Sequence, residues 1–142
     1  MGHVHRYTVS IPTETRALKA LRAFLDGVFD ASACPDAERL VLAIDEACSN
    51  VIKYRCDTID DGQVTVTIER GERVLRVRIG QFCRADDVDK IKPRDLADVR
   101  PGGLGTSFIQ QIMDRVLYQE EPSAPGCVAL VLEKDLSDDC SP

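Results

Sequence analysis

Two side chains that could do chemistry lie four residues apart in the segment IDEACSNVI. They are Glu46 and Asn50, and residues at this spacing lie on the same face of a helix. A carboxylate can accept a proton from an attacking hydroxyl or orient it. An asparagine side-chain oxygen is a hard ligand that suits Mg²⁺. Alone, the pair is weak evidence, because Glu and Asn at this spacing are also common on solvated helix faces.

A second candidate is the glycine-rich run Gly102-Gly103-Leu104-Gly105, followed by Thr106, at the mouth of a predicted helix. Glycine lets a backbone approach a ligand closely. The first amide groups of a helix lack internal partners and attract anions. The run is therefore a plausible phosphate cradle. A flexible loop before a helix has the same composition, so this alternative stays open.

The elements that must position these residues follow from the hydrophobic periodicity. Alternation predicts strands at residues 5–11, 63–80 (an antiparallel hairpin), 116–119 and 128–132. Helical spacing predicts helices at residues 14–29, 36–54 and 104–116. The order β-α-α-β-β-loop-α-β-β predicts an α/β fold, a two-layer sandwich whose mixed sheet is covered on one face by helices.

Two connections between the predicted elements have distinctive features. Gly71-Glu72 fits a two-residue turn with glycine first, within the predicted hairpin. The polar segment from Gln81 to Arg100 is unusually long for a structureless connection, so we expect a lid or a short helix there. The length of 142 residues predicts a single domain, 1–142, with an ordered core from about residue 5 to residue 136.

Composition argues against several functional classes. The net charge of −6 disfavours nucleic acid and anionic membranes as main partners, because both attract clustered Lys and Arg. The longest apolar run, Cys127 to Leu132, is far shorter than the ~20 residues of a membrane helix. The start of the chain resembles no signal peptide. The six cysteines are therefore expected to be reduced, in a cytoplasmic protein.

Taken together and in this order, the two candidate motifs are more specific. LAIDEACSNVIK, a hairpin, a long polar loop and GGLGTSFIQQIMDRVLY resemble the histidine-kinase-like (GHKL) ATPase superfamily. Within it, the chain is most similar to the small bacterial anti-sigma-factor serine/threonine-protein kinases, from about His5 to Leu136. The resemblance implies a Bergerat-type ATP-binding fold, with ATP and Mg²⁺ as cofactors.

The resemblance also implies roles for individual residues. Glu46 and Asn50 match the family's E-x-x-x-N box, in which Glu is the general base and Asn coordinates the Mg²⁺ of bound ATP. The glycine box is matched by Gly103-Leu104-Gly105, with Gly102 before it and Thr106 after it. These residues would hold the nucleotide phosphates.

One family motif is missing, the D-x-G box whose Asp hydrogen-bonds the adenine amino group. Gly80 could match its glycine, which would place Arg78 at the Asp position, and a shifted alignment would place Ile79 there. Neither side chain can accept this hydrogen bond. A buried polar group without a hydrogen-bond partner costs about 1–3 kcal/mol of binding free energy. A water, a backbone carbonyl or Asp86 could substitute. In a smaller departure, Tyr54-Arg55 stands where the family often has His-Ala.

Two functions follow from these observations. The first is a kinase that binds a sigma factor, holds it inactive and phosphorylates a small anti-anti-sigma (STAS-type) protein. The alternative is a degenerate, non-catalytic module of the same fold that regulates by protein contact alone, and the missing Asp motivates it. Homodimerisation is implied by the resemblance. Met113 and Asp114 are expected to be packing and helix-end residues, and Cys83 to be an inert residue of the pocket wall.

Overall fold

Five strands and three α-helices are present in the computed structural model, which describes residues 3–32, 34, 36–54, 62–84, 104–120 and 127–136. The strands are β1 (His5–Pro12), β2 (Gln63–Arg70), β3 (Val74–Arg84), β4 (Arg115–Glu120) and β5 (Cys127–Asp135). The helices are α1 (Leu18–Ala31), α2 (Ala37–Tyr54) and α3 (Leu104–Ile112), with a short 3₁₀ turn, Thr15–Ala17, before α1. This order of elements confirms the one predicted from periodicity.

The strands form one sheet in the order β1-β2-β3-β5-β4. Every strand pair in the described ranges is antiparallel, so the prediction of a mixed sheet is wrong. The connection through α3 does make β4 run parallel to β3, as a single-helix crossover allows. The two strands are not neighbours, however, because β5 lies between them and pairs antiparallel with both.

The helices cover one face of the sheet and enclose the hydrophobic core. Alternate residues of β2 and β3 point toward the helices, as the period of two residues in a strand requires. The buried residues of these strands are Val64, Val66, Ile68, Leu75, Val77 and Ile79. α2 packs between α1 and α3. The largest buried side chains of the helices are Leu21, Leu25, Phe29, Leu40 and Ile44. The two-layer α/β architecture is therefore confirmed.

The opposite face of the sheet is mainly polar, although Val131 of β5 is buried there, and it carries ion pairs between neighbouring strands. Arg6 on β1 contacts Glu69 on β2 at 2.7 Å. Arg76 on β3 contacts Glu133 on β5, also at 2.7 Å. Exposed pairs of this kind contribute only about 0–1 kcal/mol each. This face is thus compatible with water, in contrast to the apolar face beneath the helices.

α3 ends earlier than the periodicity predicts. The helix stops at Ile112, and Val116, the last residue of the predicted helix and the first of the predicted strand, lies in β4 opposite Leu132. The carboxylate of Asp114 accepts a hydrogen bond from the backbone N–H of Asp135 at 2.6 Å, which ties this corner to β5. Met113 is buried and its N–H donates to the carbonyl of Ile109. The packing and helix-end roles predicted for Met113 and Asp114 are therefore confirmed.

The β2–β3 hairpin turns one residue later than predicted. The N–H of Gly71 donates to the carbonyl of Val74 at 2.9 Å, so Glu72 and Arg73 are the central residues of the turn. The core sets this register, because Ile68 must lie opposite Val77 for both side chains to be buried. A shift by one residue would turn every side chain of a strand to the other face of the sheet.

No helix within the described ranges has both the length and the apolar character needed to span a membrane. α2, with 18 residues, is the longest of them.

We expect Gly27→Ala to stabilise the protein. Gly27 is exposed within α1, and a Cβ built on it meets nothing within 4 Å. Glycine within a helix costs about 0.5–1 kcal/mol relative to alanine, so the free energy of unfolding should rise by about this amount in urea titrations. Gly62→Ala is the matched control: its Cβ also meets open space, but its φ of +84° disfavours any side chain. It should destabilise, and equal effects would contradict this explanation.

Candidate functional site

The helix that carries Glu46 and Asn50 forms as the sequence predicts. α2 buries Leu40, Ile44 and Val51 along one stripe, at the three- and four-residue spacing of an amphipathic helix. Glu46 and Asn50 both lie at the edge of this stripe and are half-buried. The structure therefore places both on the same face, at the boundary between core and solvent.

An ion pair joins α2 to α1 on the side of α2 away from Glu46. Nη1 of Arg22 on α1 lies 3.1 Å and 3.2 Å from the two carboxylate oxygens of Asp45. Asp45 therefore points toward α1. Because successive residues of a helix are turned by about 100°, Glu46 projects away from this pair. The sequence analysis did not predict the ion pair between Asp45 and Arg22. The available signals were an acidic residue next to Glu46 and a basic residue on the polar face of α1.

The other neighbour of α2 is the helix that follows the glycine-rich run. α3 packs against α2 and begins at Leu104, so Gly105 and Thr106 lie in its first turn. The backbone N–H groups of a first turn have no partners within their own helix. The structure thus packs the helix bearing Glu46 and Asn50 against the helix whose first turn contains the end of the glycine-rich run. Gly102 and Gly103 lie outside the described residues.

The end of β3 departs from regular pairing directly after Gly80. This glycine is buried in the sheet, opposite Thr65 on β2 and Ala129 on β5. The next pair to β5 is Cys83 with Val128, so two residues of β3, Gln81 and Phe82, have no counterpart. Such bulges locally disrupt the ladder of hydrogen bonds and often lie next to functional sites.

Arg78 and Ile79, the two residues that could occupy the missing Asp position, lie on opposite faces of β3. Ile79 is fully buried in the core beneath the helices. Arg78 is on the other face of the sheet, where its Nη1 donates to Oε1 of Gln119 at 2.6 Å. Neither residue therefore presents a hydrogen-bond acceptor on the helix side of the sheet. Asp86 and Arg55 lie outside the described residues, as does most of the predicted lid.

Cys48 lies between Glu46 and Asn50 in sequence but points into the core. Its side chain is fully buried, and burial, with a smaller contribution from Asp45, raises the thiol pKa far above its ordinary value of 9.0. The thiolate is the reactive form of cysteine. Cys48 is therefore a core residue and is not a candidate nucleophile.

We expect Cys48 to resist iodoacetamide in the native protein and to react once the protein unfolds in urea. Burial raises the pKa of this thiol in the folded protein, so above about pH 9.0 the thiol ionises more readily in the unfolded state. The stability that the neutral thiol contributes is therefore fully present below this pH and is lost as the pH rises above it. Peptide mass spectrometry would measure the labelling, and urea titrations across alkaline pH would measure the stability. Cys48→Ala should remove this alkaline loss, and rapid labelling of the native protein would contradict the assignment.

Comparison with known proteins assigns the chain to a family. The family pattern of the "Histidine kinase-like ATPase domain" matches residues 11–134. The match covers the three helices, β2, β3, β4 and all but the last residue of β5, together with the last two residues of β1. The chain therefore belongs to the histidine kinase-like ATPase domain family, and the predicted resemblance is confirmed.

Curated relatives agree with this assignment along most of the chain. A serine-protein kinase RsbW of Listeria monocytogenes serotype 4a is 27% identical over an alignment of 150 positions, which covers 97% of this chain and 96% of the relative. The protein of the same name from Bacillus velezensis is 29% identical and covers 78% of this chain and 76% of its own length. That from Staphylococcus aureus is 25% identical, at 88% and 86% coverage. The similarity supports a kinase-like domain that uses ATP.

Proposed function

We propose that this protein is an ATP-dependent serine/threonine-protein kinase and anti-sigma factor. It would bind a sigma factor and phosphorylate an anti-anti-sigma (STAS-type) protein. The observation that carries the proposal is the half-buried pair of Glu46 and Asn50 on α2, packed against the helix that begins at Leu104. Relatives named serine-protein kinases support the choice of reaction.

Two side chains of α2 suit two roles in phosphoryl transfer, namely binding of the metal ion and activation of the acceptor hydroxyl. Asn50 offers an amide oxygen, and Mg²⁺ usually completes its coordination with substrate phosphates and water, so one protein ligand is enough. The metal would neutralise charge on the phosphates. Glu46, one turn earlier and about 6 Å along the helix axis, would orient the acceptor hydroxyl and take its proton. Phosphoryl transfer requires mainly positioning and charge neutralisation, which this arrangement supplies.

The first turn of α3 suits the phosphates. We assign to Gly102, Gly103, Leu104, Gly105 and Thr106 the role of the phosphate-binding loop. The backbone amides of Gly105 and Thr106 begin a helix, where partial positive charge and unpaired N–H groups favour an anion. The segment 84–101 would close over the nucleotide as a lid.

The bulge in β3 offers backbone groups that would replace the missing Asp of the D-x-G box. Gln81 and Phe82 are absent from the registers that β3 makes with both β2 and β5. A backbone carbonyl in this bulge is therefore our candidate for the group that accepts the hydrogen bond from the adenine amino group. Gly80, directly before it, lacks a side chain and would let the base approach the strand.

The remaining expectations belong to the same proposal. The protein would act in the bacterial cytoplasm in transcription regulation, through protein contacts rather than through nucleic acid or membranes. It would act as a homodimer.

The alternative, a non-catalytic regulatory module of the same fold, has one observation in its favour. With Ile79 in the core and Arg78 on the far face of the sheet, no side chain replaces the missing Asp at either position. A protein that lost its adenine contact would keep the fold and the binding surface for partner proteins. Glu46 and Asn50 would then be retained without a catalytic role.

Titration of the purified protein with ATP and ADP, with and without Mg²⁺, separates the two functions. A ligand at about 100 times its dissociation constant stabilises a protein by about 2.7 kcal/mol, which shifts the melting temperature measurably. We expect Mg²⁺-dependent binding, followed by transfer of labelled γ-phosphate to a STAS-type protein from the same genome. No binding at millimolar nucleotide would reject the kinase and favour the module.

A further inference from the structure

Leu42 on α2 is a large apolar residue that the fold leaves open to solvent. It is 51% exposed, and among the described residues only Val4 and Val74 are large apolar residues with comparable exposure. Its neighbours in sequence, Val41 and Ala43, are both buried. Because α2 packs against α1, α3 and the sheet, Leu42 lies on the one remaining face of the helix, which points outward. Core packing therefore does not explain an apolar residue at this position.

The position of Leu42 relative to the candidate site gives it significance, since a single exposed leucine is common on protein surfaces. Leu42 precedes Glu46 by four residues, and Asn50 follows Glu46 by another four. Side chains at this spacing form one ridge along a helix. Leu42 and Glu46 are about 6 Å apart along the axis and about 40° apart around it. Glu46 therefore has Asn50 on one side and an exposed apolar residue on the other.

The order along this ridge indicates the side from which a protein substrate would approach. Under the proposed function, on which this inference rests, Asn50 holds the metal of the nucleotide and Glu46 takes the proton of the acceptor hydroxyl. The attacking and leaving oxygens of a phosphoryl transfer lie roughly in line, on opposite sides of the phosphorus. With the nucleotide at Asn50, the acceptor hydroxyl enters from the side of Leu42. A protein whose hydroxyl comes within about 3 Å of Glu46 covers the surface one helical turn away.

We propose that Leu42 is a docking residue for the acceptor protein, which packs an apolar side chain against it while its hydroxyl reaches Glu46. The separation of about 6 Å between the two positions defines the acceptor segment. It corresponds to two residues of an extended chain or to one turn of a helix. The acceptor protein therefore carries an apolar residue two positions from its Ser or Thr if the segment is extended, and three or four positions away if it is helical.

The surroundings of Leu42 suit a contact of this kind. Glu38 and Arg39, on the preceding turn, are exposed and carry opposite charges. On the side of α1, Asp45 is paired with Arg22. An apolar centre within a polar, solvent-accessible rim is the usual anatomy of a protein interface. Since the charges of this rim largely compensate one another, exclusion of water from Leu42 is the main gain when a partner binds.

Leu42→Gln tests the contact, because it retains the length and helix propensity of the side chain but removes its apolar surface. Calorimetric titration with a STAS-type protein from the same genome, with Mg-ADP so that no transfer occurs, should show about tenfold weaker binding. Covering the exposed half of a leucine contributes about this factor. In transfer assays, the KM for the acceptor should rise by the same factor at unchanged kcat, because the contact exists before and during transfer. Leu42→Met, which remains apolar, should behave as the parent protein does.

Val74→Thr is the matched control on another surface. Val74 is 46% exposed and is the first residue of β3, on the face of the sheet away from the helices. This substitution also replaces an exposed aliphatic side chain with a polar one of similar size, and acceptor binding should remain at the parent value. Both variants should unfold near the urea concentration of the parent, since surface substitutions have small effects. Equal losses of acceptor binding in the two variants would overturn the docking role.

The outcomes distinguish this proposal from the kinase itself. If the parent protein transfers phosphate and Leu42→Gln binds the acceptor as tightly as the parent does, the docking role is wrong and the kinase stands. If the parent binds the acceptor without transfer and Leu42→Gln weakens that binding, the docking role stands and the kinase is wrong. A parent that binds no STAS-type protein would overturn both. A loss of Mg-ATP affinity in Leu42→Gln would place Leu42 at the nucleotide and overturn the docking role.

Discussion

Glu46→Gln is expected to slow phosphate transfer to the acceptor protein strongly while ATP binding remains. The substitution keeps the size of a half-buried side chain but removes its negative charge and its ability to take a proton. A positioned general base contributes about 10²–10⁴-fold to the rate, so kcat should fall by this factor. The measurement is the rate of labelled γ-phosphate transfer, with calorimetric titration of Mg-ATP on the same preparation.

Asp45→Asn is the matched control for this prediction. It makes the same carboxylate-to-amide change one residue earlier, where the side chain contacts Arg22 on α1. Because Arg22 is partly exposed, the loss of this pair should cost only about 0–1 kcal/mol of stability and little activity. If Asp45→Asn stops transfer and Glu46→Gln does not, the assignment of the base to Glu46 is wrong.

Asn50→Ala is expected to remove most Mg²⁺-dependent ATP binding. An interaction with a charged group contributes about 1.5–3 kcal/mol, which corresponds to about a 10- to 150-fold loss of affinity. Asn50→Asp retains an oxygen ligand and should bind Mg-ATP better than Asn50→Ala does. Calorimetric titrations of ATP with and without Mg²⁺ would show whether the loss depends on the metal.

Ser49→Ala controls for general perturbation of α2 beside Asn50. Ser49 is also a half-buried polar residue, and its truncation should leave nucleotide affinity unchanged. Urea titrations of all three variants would separate a loss of fold from a loss of ligand. A reduction for Asn50→Ala that is equal with and without Mg²⁺ would assign Asn50 a role other than metal binding.

The results for both positions also decide between the two functions. In a kinase, Glu46→Gln separates binding from transfer, and Asn50→Ala weakens binding itself. In a non-catalytic module, the parent protein already lacks transfer, and neither substitution has an activity to remove. The absence of an acceptor side chain at Arg78 and Ile79 would then account for the loss of nucleotide binding.

Much of the candidate site was predictable because its signals are local. The apolar spacing of Leu40, Ile44 and Val51 specifies a helix, and once that helix exists, Glu46 and Asn50 must share a face. The position of Leu104, Gly105 and Thr106 at a helix start follows from the apolar residues after them. The order of strands and helices was predictable for the same reason, since each element carries its own period.

The tertiary structure decided the features that depend on distant partners. β5 pairs between β3 and β4, which makes the sheet antiparallel, and no local pattern encodes that choice of neighbours. Pairing of Val116 with Leu132 draws the chain into β4 and ends α3 at Ile112, although the helical period continues. The bulge after Gly80 arises where the register with β5 shifts. The alternation of apolar residues along one strand does not depend on the register of its partner strand, so it could not predict this bulge. The sequence thus determined which residues could form the site, and the pairing of distant strands determined the geometry around it.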